Sequence, residues 1–233
     1  MTVLGTPRLH LRATTSTNDR ARELAAAGAP HGTLVTAAAQ SAGRGRQGRT
    51  WSAPPGRALL MSLVLRGAPP LLPLAGAVAV AEAAGDAARI KWPNDVLLDG
   101  RKLAGILAEA RPQEGWAVLG IGVNVAVRPG DLPPELRDTA ATLGLEPPAV
   151  EETLDRVLTA LDRALALDTA DLLDAWRARD ALRGREITWA GGRGRAAGID
   201  GAGRLVVELP GGGRTALEAG EVHLGAGAAT RSA

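Results

Sequence analysis

Residues 89–108 read Arg-Ile-Lys-Trp-Pro-Asn-Asp-Val-Leu-Leu-Asp-Gly-Arg-Lys-Leu-Ala-Gly-Ile-Leu-Ala, and this stretch decides the fold. Short apolar runs at 89–92 and 96–98 predict two strands. The dipeptide Asp99-Gly100 is typical of a tight hairpin turn, so residues 103–108 should return as a third strand. The stretch therefore predicts an antiparallel region of a sheet.

The composition makes two residue types in this stretch conspicuous. Of the 27 Lys and Arg residues only Lys91 and Lys102 are lysines, and the chain has three asparagines, Asn18, Asn94 and Asn124. This pattern suggests a coding bias that replaces lysine with arginine wherever charge alone suffices. A lysine that survives such a bias should need a compact, flexible ammonium group and not a planar fork.

The totals exclude several classes of protein. A chain of 233 residues with 45% hydrophobic residues can form one large domain, or a large and a small one. The net charge of +2 is too small to indicate nucleic-acid binding, and the absence of cysteine excludes disulfides and thiolate sites. The N-terminus lacks a signal pattern and the longest apolar stretch, 71–81, is too short for a bilayer. We expect a cytoplasmic enzyme or binding protein with no membrane partner.

Outward from residues 89–108, the hydrophobic periodicity predicts an α/β (α+β) fold. Strands are expected at 8–13, 33–39, 58–65 and 116–125, and helices at 16–28, 71–88, 148–167 and 170–182. Residues 1–183 should form a catalytic domain with a mixed β-sheet flanked by helices. Glycine-rich short strands at 184–225 predict a small C-terminal β-barrel, followed by a flexible tail at 226–233.

The loop between Gln40 and Trp51 carries the strongest chemical signal. Its glycines and arginines alternate as Gly43, Arg44, Gly45, Arg46, Gly48 and Arg49. The G-x-G-x-x-G spacing does not indicate a dinucleotide loop, because no helix follows it and no acidic residue lies about 20 positions on. Glycines let a backbone close around an anion, and arginines supply forked donors for phosphate or carboxylate. A solvated basic loop is the alternative.

Three further sites have a chemical and a plain structural interpretation. Asp95 ends a strand and is suited to Mg²⁺, or belongs to an ordinary turn. Lys102 can point from a strand into a cleft, or lie on the surface. Gly120-Ile-Gly-Val-Asn124 permits close backbone approach and ends in one amide, or is a buried strand. The three histidines have no ligand spacing, so we expect no histidine metal site.

Five motifs together carry a resemblance. In order they are Ser16-Thr-Asn18, Gln40 with Gly43-Arg-Gly-Arg-Gln-Gly-Arg49-x-Trp51, Lys91-Trp-Pro-Asn-Asp95, Lys102-Leu-Ala-Gly-Ile-Leu107 and Gly120-x-Gly-x-Asn124. They resemble biotin protein ligase, and the barrel resembles that family's small SH3-like C-terminal domain. The resemblance implies that biotin and ATP, as its Mg²⁺ complex, give biotinyl-5′-adenylate. Biotin then passes to a lysine of a biotin carboxyl carrier protein, part of acetyl-CoA or a related carboxylase.

The resemblance also implies roles for individual residues. Lys102, Arg44 and Arg46 would be catalytic, with Lys102 between the biotin carboxylate and the α-phosphate. The implied biotin-binding residues are Ser16, Thr17, Asn18, Gln40, Gly43, Arg44, Trp51, Lys102, Gly105, Leu107 and Gly122. The implied nucleotide-binding residues are Arg46, Arg49, Asn94, Lys102 and Asn124, with Asp95 as a metal ligand. No permanently bound cofactor is implied.

Two departures from the family pattern shape the expectation. Too few residues precede Ser16 for a helix-turn-helix, so we expect the single-function type without DNA as a partner, as a monomer or homodimer. Where some members stack an aromatic side chain on adenine, residues 139–143 read Thr-Ala-Ala-Thr-Leu, which leaves the adenine contact open. A lipoate-type protein ligase and, less favoured, a nucleic-acid-binding module are the competing interpretations.

Overall fold

A computed structural model describes residues 4–67, 71–218 and 220–224 of the chain, so the expected tail at 226–233 lies outside the described residues. The larger part is a seven-stranded mixed sheet with helices on both faces. Its elements are β1 (Arg8–Leu11), α1 (Thr17–Ala26), β2 (Leu34–Ala37), the short pair β3 (Gly43–Arg44) and β4 (Thr50–Trp51), β5 (Ala58–Arg66), α2 (Leu72–Ala84), β6 (Arg89–Lys91), β7 (Asp95–Leu98), β8 (Arg101–Arg111), β9 (Trp116–Asn124), α3 (Ala149–Ala166) and α4 (Thr169–Arg177).

The seven strands run in the order β1-β2-β5-β9-β8-β7-β6. Only β1 and β2 are parallel, and the other neighbours are antiparallel. The predicted hairpin turn joins β7 to β8, where Asp99 and Gly100 have φ of 51° and 74°, as a primed two-residue turn requires. The antiparallel region predicted from residues 89–108 is therefore present.

Side chains on the two faces of the sheet form separate cores because successive strand residues point in opposite directions. Leu63 and Leu119 lie in the large cluster that α2 and α3 cover, whereas Val64 and Val118 lie in a smaller cluster with α1. Helix α2 is apolar nearly all round and packs close to the sheet: a Cβ added at Gly76 would lie 3.1 Å from Ile106 Cγ2. The opposite face of the sheet carries α1, and room for a functional site remains beside that helix.

The second sheet is antiparallel and five-stranded, in the order β13-β12-β11-β10-β14. Its strands are β10 (Glu186–Trp189), β11 (Gly192–Ile199), β12 (Leu205–Glu208), β13 (Arg214–Leu217) and β14 (His223–Leu224). Trp92 Nε1 donates a hydrogen bond of 3.0 Å to Gly203 O, and the buried residues of this sheet belong to the same core cluster as those of α2. The prediction of a mixed sheet with helices followed by a small SH3-like β unit is confirmed, while the boundary at 183/184 stays a prediction.

The C-terminal end of α4 differs from the sequence expectation. The helix ends at Arg177, not near residue 182, because the following backbone pairs with β6. Ile90 N donates to Arg179 O at 2.7 Å, and Ala181 N donates to Ile90 O at 2.9 Å. Within residues 4–67, 71–218 and 220–224, none of the helices has the length and apolar content that crossing a membrane requires.

Candidate active site

A cavity of about 590 Å³ lies over the centre of the large sheet, below the arginine loop of residues 40–51. Every residue predicted for the site lines this cavity except Gly43. Gly43 is buried behind the wall, where an added Cβ would lie 2.8 Å from Gln40 Nε2. Its small size therefore permits the close approach of the loop to the side chains that do face the cavity.

Strands β8 and β9 form the floor and give the cavity a direction. Gly120, Gly122 and Asn124 alternate along β9, so they share one face. Four residues of strand span about 13 Å. Gly122 pairs with Gly105 of β8, and Asp95 of β7 pairs with Gly105 on its other side. The floor thus runs from a glycine-lined polar end to an end with amides and charges.

The first end is built by the start of α1. Ser16, Thr17 and Asn18 are 1%, 4% and 4% exposed, although all three are polar. Ser16 occupies the N-cap position, yet its side chain makes no capping hydrogen bond. Gln40 Oε1 accepts hydrogen bonds from Thr17 N at 2.7 Å and from Thr17 Oγ1 at 3.0 Å. This arrangement fixes the orientation of the Gln40 amide at the cavity wall.

Two side chains that the sequence analysis missed hold Asn18 in place. Ser62 Oγ donates to Asn18 Oδ1 at 2.6 Å, and Asn18 Nδ2 donates to Glu109 Oε2 at 2.7 Å. Arg22 in turn donates to Glu109 Oε1 at 3.0 Å. Gly120 lies directly beneath, and an added Cβ there would overlap Asn18 Oδ1. The position of Asn18 is therefore set by both hydrogen bonding and shape.

Trp51 crosses the middle of the cavity above the glycine floor. An added Cβ would lie 2.6 Å from its Cε2 at Gly122 and 3.3 Å from its Cζ3 at Gly105. The indole Nε1 is buried without a hydrogen-bond partner among the described residues. Glycine at position 122 is needed for the indole ring to lie so close, and glycine at position 105 avoids a tight contact with it. The ring makes this part of the cavity narrow and apolar.

The second end joins a lysine, a carboxylate and two amides. Lys102 Nζ lies 2.7 Å from Asp95 Oδ1 and 5.9 Å from the centroid of the Trp51 ring. Asn94 Oδ1 accepts from Arg46 at 3.3 Å while its Nδ2 donates to a strand carbonyl at 3.0 Å. Asn124 Nδ2 likewise donates to a backbone carbonyl, that of residue 141, at 2.9 Å. The side chains of Asn94 and Asn124 therefore bind backbone carbonyls in addition to lining the cavity.

Cations dominate this end. Burial lowers the pKa of Arg46 and of Lys91, an effect that the charge of Asp95 partly offsets in both. Arg49 Nη1 lies 2.7 Å from Glu221 Oε1, so the last described segment reaches the cavity. Sequence reasoning did not assign Glu221, and it gave no role to Lys91. Glu221 reaches the cavity through contacts between segments far apart in the chain.

Arg44 lies at the rim and is not directed into the charged end. It is half-exposed, and its Nη2 lies 3.0 Å from Asp19 Oδ1. Asp19 also pairs with Arg22 at 2.6 Å. The arginine loop is thus attached to α1 on one side and, through Arg49, to the C-terminal segment on the other. Both of these ion pairs are partly exposed.

The donor set at the charged end fits a metal that arrives with its ligand. The described part of the chain holds no group of three or more histidine, cysteine or acidic side chains that could bind a metal. Asp95 offers one carboxylate, and Mg²⁺ commonly takes one or two carboxylates together with substrate phosphates. The residues therefore fit Mg²⁺ bound chiefly by phosphate oxygens.

Comparison with known proteins agrees with this geometry. The model of the Biotin/lipoate A/B protein ligase family matches residues 11–125. A biotin--[acetyl-CoA-carboxylase] ligase of Paracoccus denitrificans is 39% identical over 92% of this chain and 99% of its own length. One of Mycobacterium tuberculosis is 36% identical over 91% and 86%. The bifunctional ligase/repressor BirA of Bacillus subtilis is 43% identical over 66% of this chain, which spans half the length of that relative.

A solved structure extends the similarity to the whole fold. Biotin protein ligase from Aquifex aeolicus, in complex with biotin and ATP, superposes with a TM-score of 0.82 and 26% identity. The match covers 94% of this chain and 100% of that one. Together with the full-length relatives, these similarities show that the chain belongs to the biotin protein ligases of the biotin/lipoate A/B protein ligase family.

Proposed function

We propose that the protein activates biotin with ATP, taken as its Mg²⁺ complex, and transfers it to a lysine of a biotin carboxyl carrier protein. The observation that carries this proposal is the order of surfaces within the cavity of about 590 Å³, where a polar end, a narrow apolar middle and a cationic end follow one another along β9. Biotin has the same order of parts: a polar ureido ring, an aliphatic tail and a carboxylate. The names of the full-length relatives support biotin and a carboxylase acceptor, and the similar Aquifex aeolicus structure holds biotin and ATP.

The polar end suits the ureido ring, which has one carbonyl acceptor and two N–H donors. Gln40 Oε1 is already bonded to Thr17, whereas Gln40 Nε2 donates to no described residue. Ser16 and Thr17 bring hydroxyl groups that can donate or accept. Because Asn18 is fixed by Ser62 and Glu109, its amide is oriented before biotin arrives. Preorganisation of this kind lowers the entropic cost of binding.

The first reaction step needs positive charge more than it needs a base. A biotin carboxylate oxygen forms a bond to the α-phosphorus of ATP, and the bond from that phosphorus to the β-phosphate oxygen breaks, releasing pyrophosphate. Two anions must approach, so positioning and cations supply most of the catalysis. Lys102 lies next to the Trp51 ring and is oriented by Asp95. At this point the aliphatic tail of biotin would reach the cationic end of the cavity. Its compact ammonium can contact both oxyanions.

The adenine contact left open by the sequence can be assigned to apolar packing. Leu132, Leu136 and Ala140 line the cavity. Their segment is held against β8, because Lys102 N donates to Thr139 O at 2.7 Å. We assign the adenine ring to this apolar wall, next to the lysine that would contact the α-phosphate. Mg²⁺ would neutralise phosphate charge, with Asp95 as its protein contact.

In the second step the amine of the carrier lysine attacks the carbonyl carbon of biotinyl-5′-adenylate and AMP leaves. The mixed anhydride is sensitive to water, so it must be shielded until the carrier binds. The arginine loop, with Arg44 and Arg46, can close over it, since the ion pair of Arg44 with Asp19 is partly exposed and replaceable. We place the reaction in the cytoplasm, where ATP is available.

The test uses the purified chain with biotin, ATP, Mg²⁺ and a carrier domain. We expect one biotin adduct on a single carrier lysine, together with biotin-dependent release of pyrophosphate. Lipoate serves as the matched competitor, because a lipoate-type ligase would release more pyrophosphate with lipoate than with biotin. Absence of both the adduct and the pyrophosphate would refute the proposed function.

A further inference from the structure

The two lysines of this arginine-rich chain line the same cavity. Lys102 belongs to β8, the neighbour of β9, and Lys91 is the last residue of β6. Lys91 therefore lies two strands farther from the glycines of β9 than Lys102 does. Two strand spacings correspond to about 10 Å. Lys91 pairs in register with Asp95, which separates the two lysines. The second lysine therefore lies beyond the first, on the side away from the apolar middle.

Lys91 is half-buried, yet its side chain forms no hydrogen bond or ion pair within residues 4–67, 71–218 and 220–224. Both neighbouring carboxylates are paired with other cations: Asp95 with Lys102 and Glu221 with Arg49, each at 2.7 Å. Burial is the main cause that lowers the pKa of Lys91, and Lys102 adds to it. Even a half-buried ammonium is stabilised by a close anion, so this position favours an anionic ligand.

We propose that Lys91 binds the β- and γ-phosphates of ATP and stabilises pyrophosphate as it leaves. The inference rests on the proposed function. When the bond between the α-phosphorus and the β-phosphate oxygen breaks, its electron pair stays on that oxygen, and the new negative charge develops beyond the α-phosphate. Lys102 serves the α-phosphate, and Lys91, which lines the cavity two strands farther along the sheet, is placed to meet the charge beyond it. No proton transfer is needed.

The composition favours the same assignment. Arg46 and Arg49 already supply forked donors at this end of the cavity. If charge alone sufficed at position 91, the bias of 25 arginines to two lysines would favour a further arginine. A compact ammonium can follow pyrophosphate through small displacements as it departs, whereas a rigid planar fork favours one bidentate geometry.

Measuring adenylation and transfer separately distinguishes phosphate binding by Lys91 from a purely structural role. In Lys91→Gln we expect the KM for ATP to rise about ten- to hundredfold, because a charge-assisted contact is lost. Inhibition by added inorganic pyrophosphate should weaken by a similar factor. Biotin binding and transfer from purified biotinyl-5′-adenylate to the carrier domain should stay near wild type, since neither involves the β- and γ-phosphates. Lys91→Arg should recover part of the ATP affinity.

Arg101→Gln is the matched control, because it removes an exposed cation next to Lys102 that does not line the cavity. It should leave both half-reactions unchanged. Equal losses in adenylation and transfer, lost biotin binding, or unchanged ATP and pyrophosphate affinities in Lys91→Gln would each overturn the inference while the proposed function stands. A wild-type protein that forms no adenylate would overturn both.

Discussion

Replacing Gly120 by alanine should displace Asn18 from the polar end of the cavity. The added Cβ would overlap Asn18 Oδ1 and lie 2.8 Å from Asn18 Cγ. The backbone of β9 cannot yield, because Gly120 is paired with Ser62 of β5 on one side and Leu107 of β8 on the other. The side chain of Asn18 must therefore leave its place, although the sheet itself stays intact.

The cost follows from the two hydrogen bonds that Asn18 would lose. Its bond from Ser62 is neutral and should contribute about 0.5–1.5 kcal/mol, and its bond to the Glu109 carboxylate about 1.5–3 kcal/mol. The free energy of unfolding should then fall by about 2–4.5 kcal/mol. For a chain of this size the melting temperature should fall by about 5–15 °C. Biotin affinity should fall as well.

A double-mutant cycle measured by thermal and denaturant unfolding tests this reasoning. Asn18→Ala removes the same two hydrogen bonds, so Gly120→Ala should cost little in that background, and the coupling should nearly equal its single-mutant effect. Gly130→Ala is the control, because no atom lies within 4 Å of its added Cβ, and it should change stability by less than about 0.5 kcal/mol. An undiminished cost of Gly120→Ala in the Asn18→Ala background would refute the steric mechanism.

Three further substitutions have defined outcomes. Lys102→Arg should slow adenylation by about 10²–10³-fold despite keeping the charge, and near-normal turnover would contradict the need for a compact ammonium. Gly122→Ala should weaken biotin binding in a calorimetric titration by displacing Trp51, whereas Gly201→Ala, with open space around its Cβ, should not. Burial raises the pKa of Asp180, so its contribution to stability is present below the unfolded pKa and is lost as pH rises through the folded pKa. Asp180→Asn should therefore gain stability relative to wild type as the pH rises above the unfolded pKa of an aspartate, about 3.9, and a gain that does not grow with pH would contradict the assignment.

The fold could be predicted wherever the signal is local. Asp99-Gly100 requires left-handed backbone at two adjacent positions, and few structures other than a hairpin provide it. The end of α4 could not be predicted, because helical periodicity continues past Arg177 and only the pairing of the following backbone with Ile90 ends the helix. The β3–β4 pair inside the arginine loop was missed for a similar reason, since two-residue strands carry no periodicity.

The site residues divide in the same way. The residues of the five sequence motifs could be assigned to one site because the motifs together, and in that order, resemble one family. Ser62 and Glu109 belong to none of these motifs. Ser62 did carry a signal: it is the one hydroxyl within the apolar run of β5, and it is wholly buried. A buried polar group requires a partner, so it indicated a polar contact across the sheet. Glu109 lies just past the predicted strand at 103–108, and nothing in the sequence places it next to Asn18.

The scarce residue types are explained by the geometry around them. Lys91, Lys102 and the three asparagines all line the one cavity. Asn18 accepts from a hydroxyl and donates to a carboxylate, and Asn94 accepts from a guanidinium and donates to a carbonyl. Aspartate cannot donate in its ionised form, and glutamine is one methylene longer, so neither can replace asparagine between two fixed partners. A coding bias exchanges residues that differ little in function, and the exceptions therefore mark positions where geometry and charge must be satisfied together.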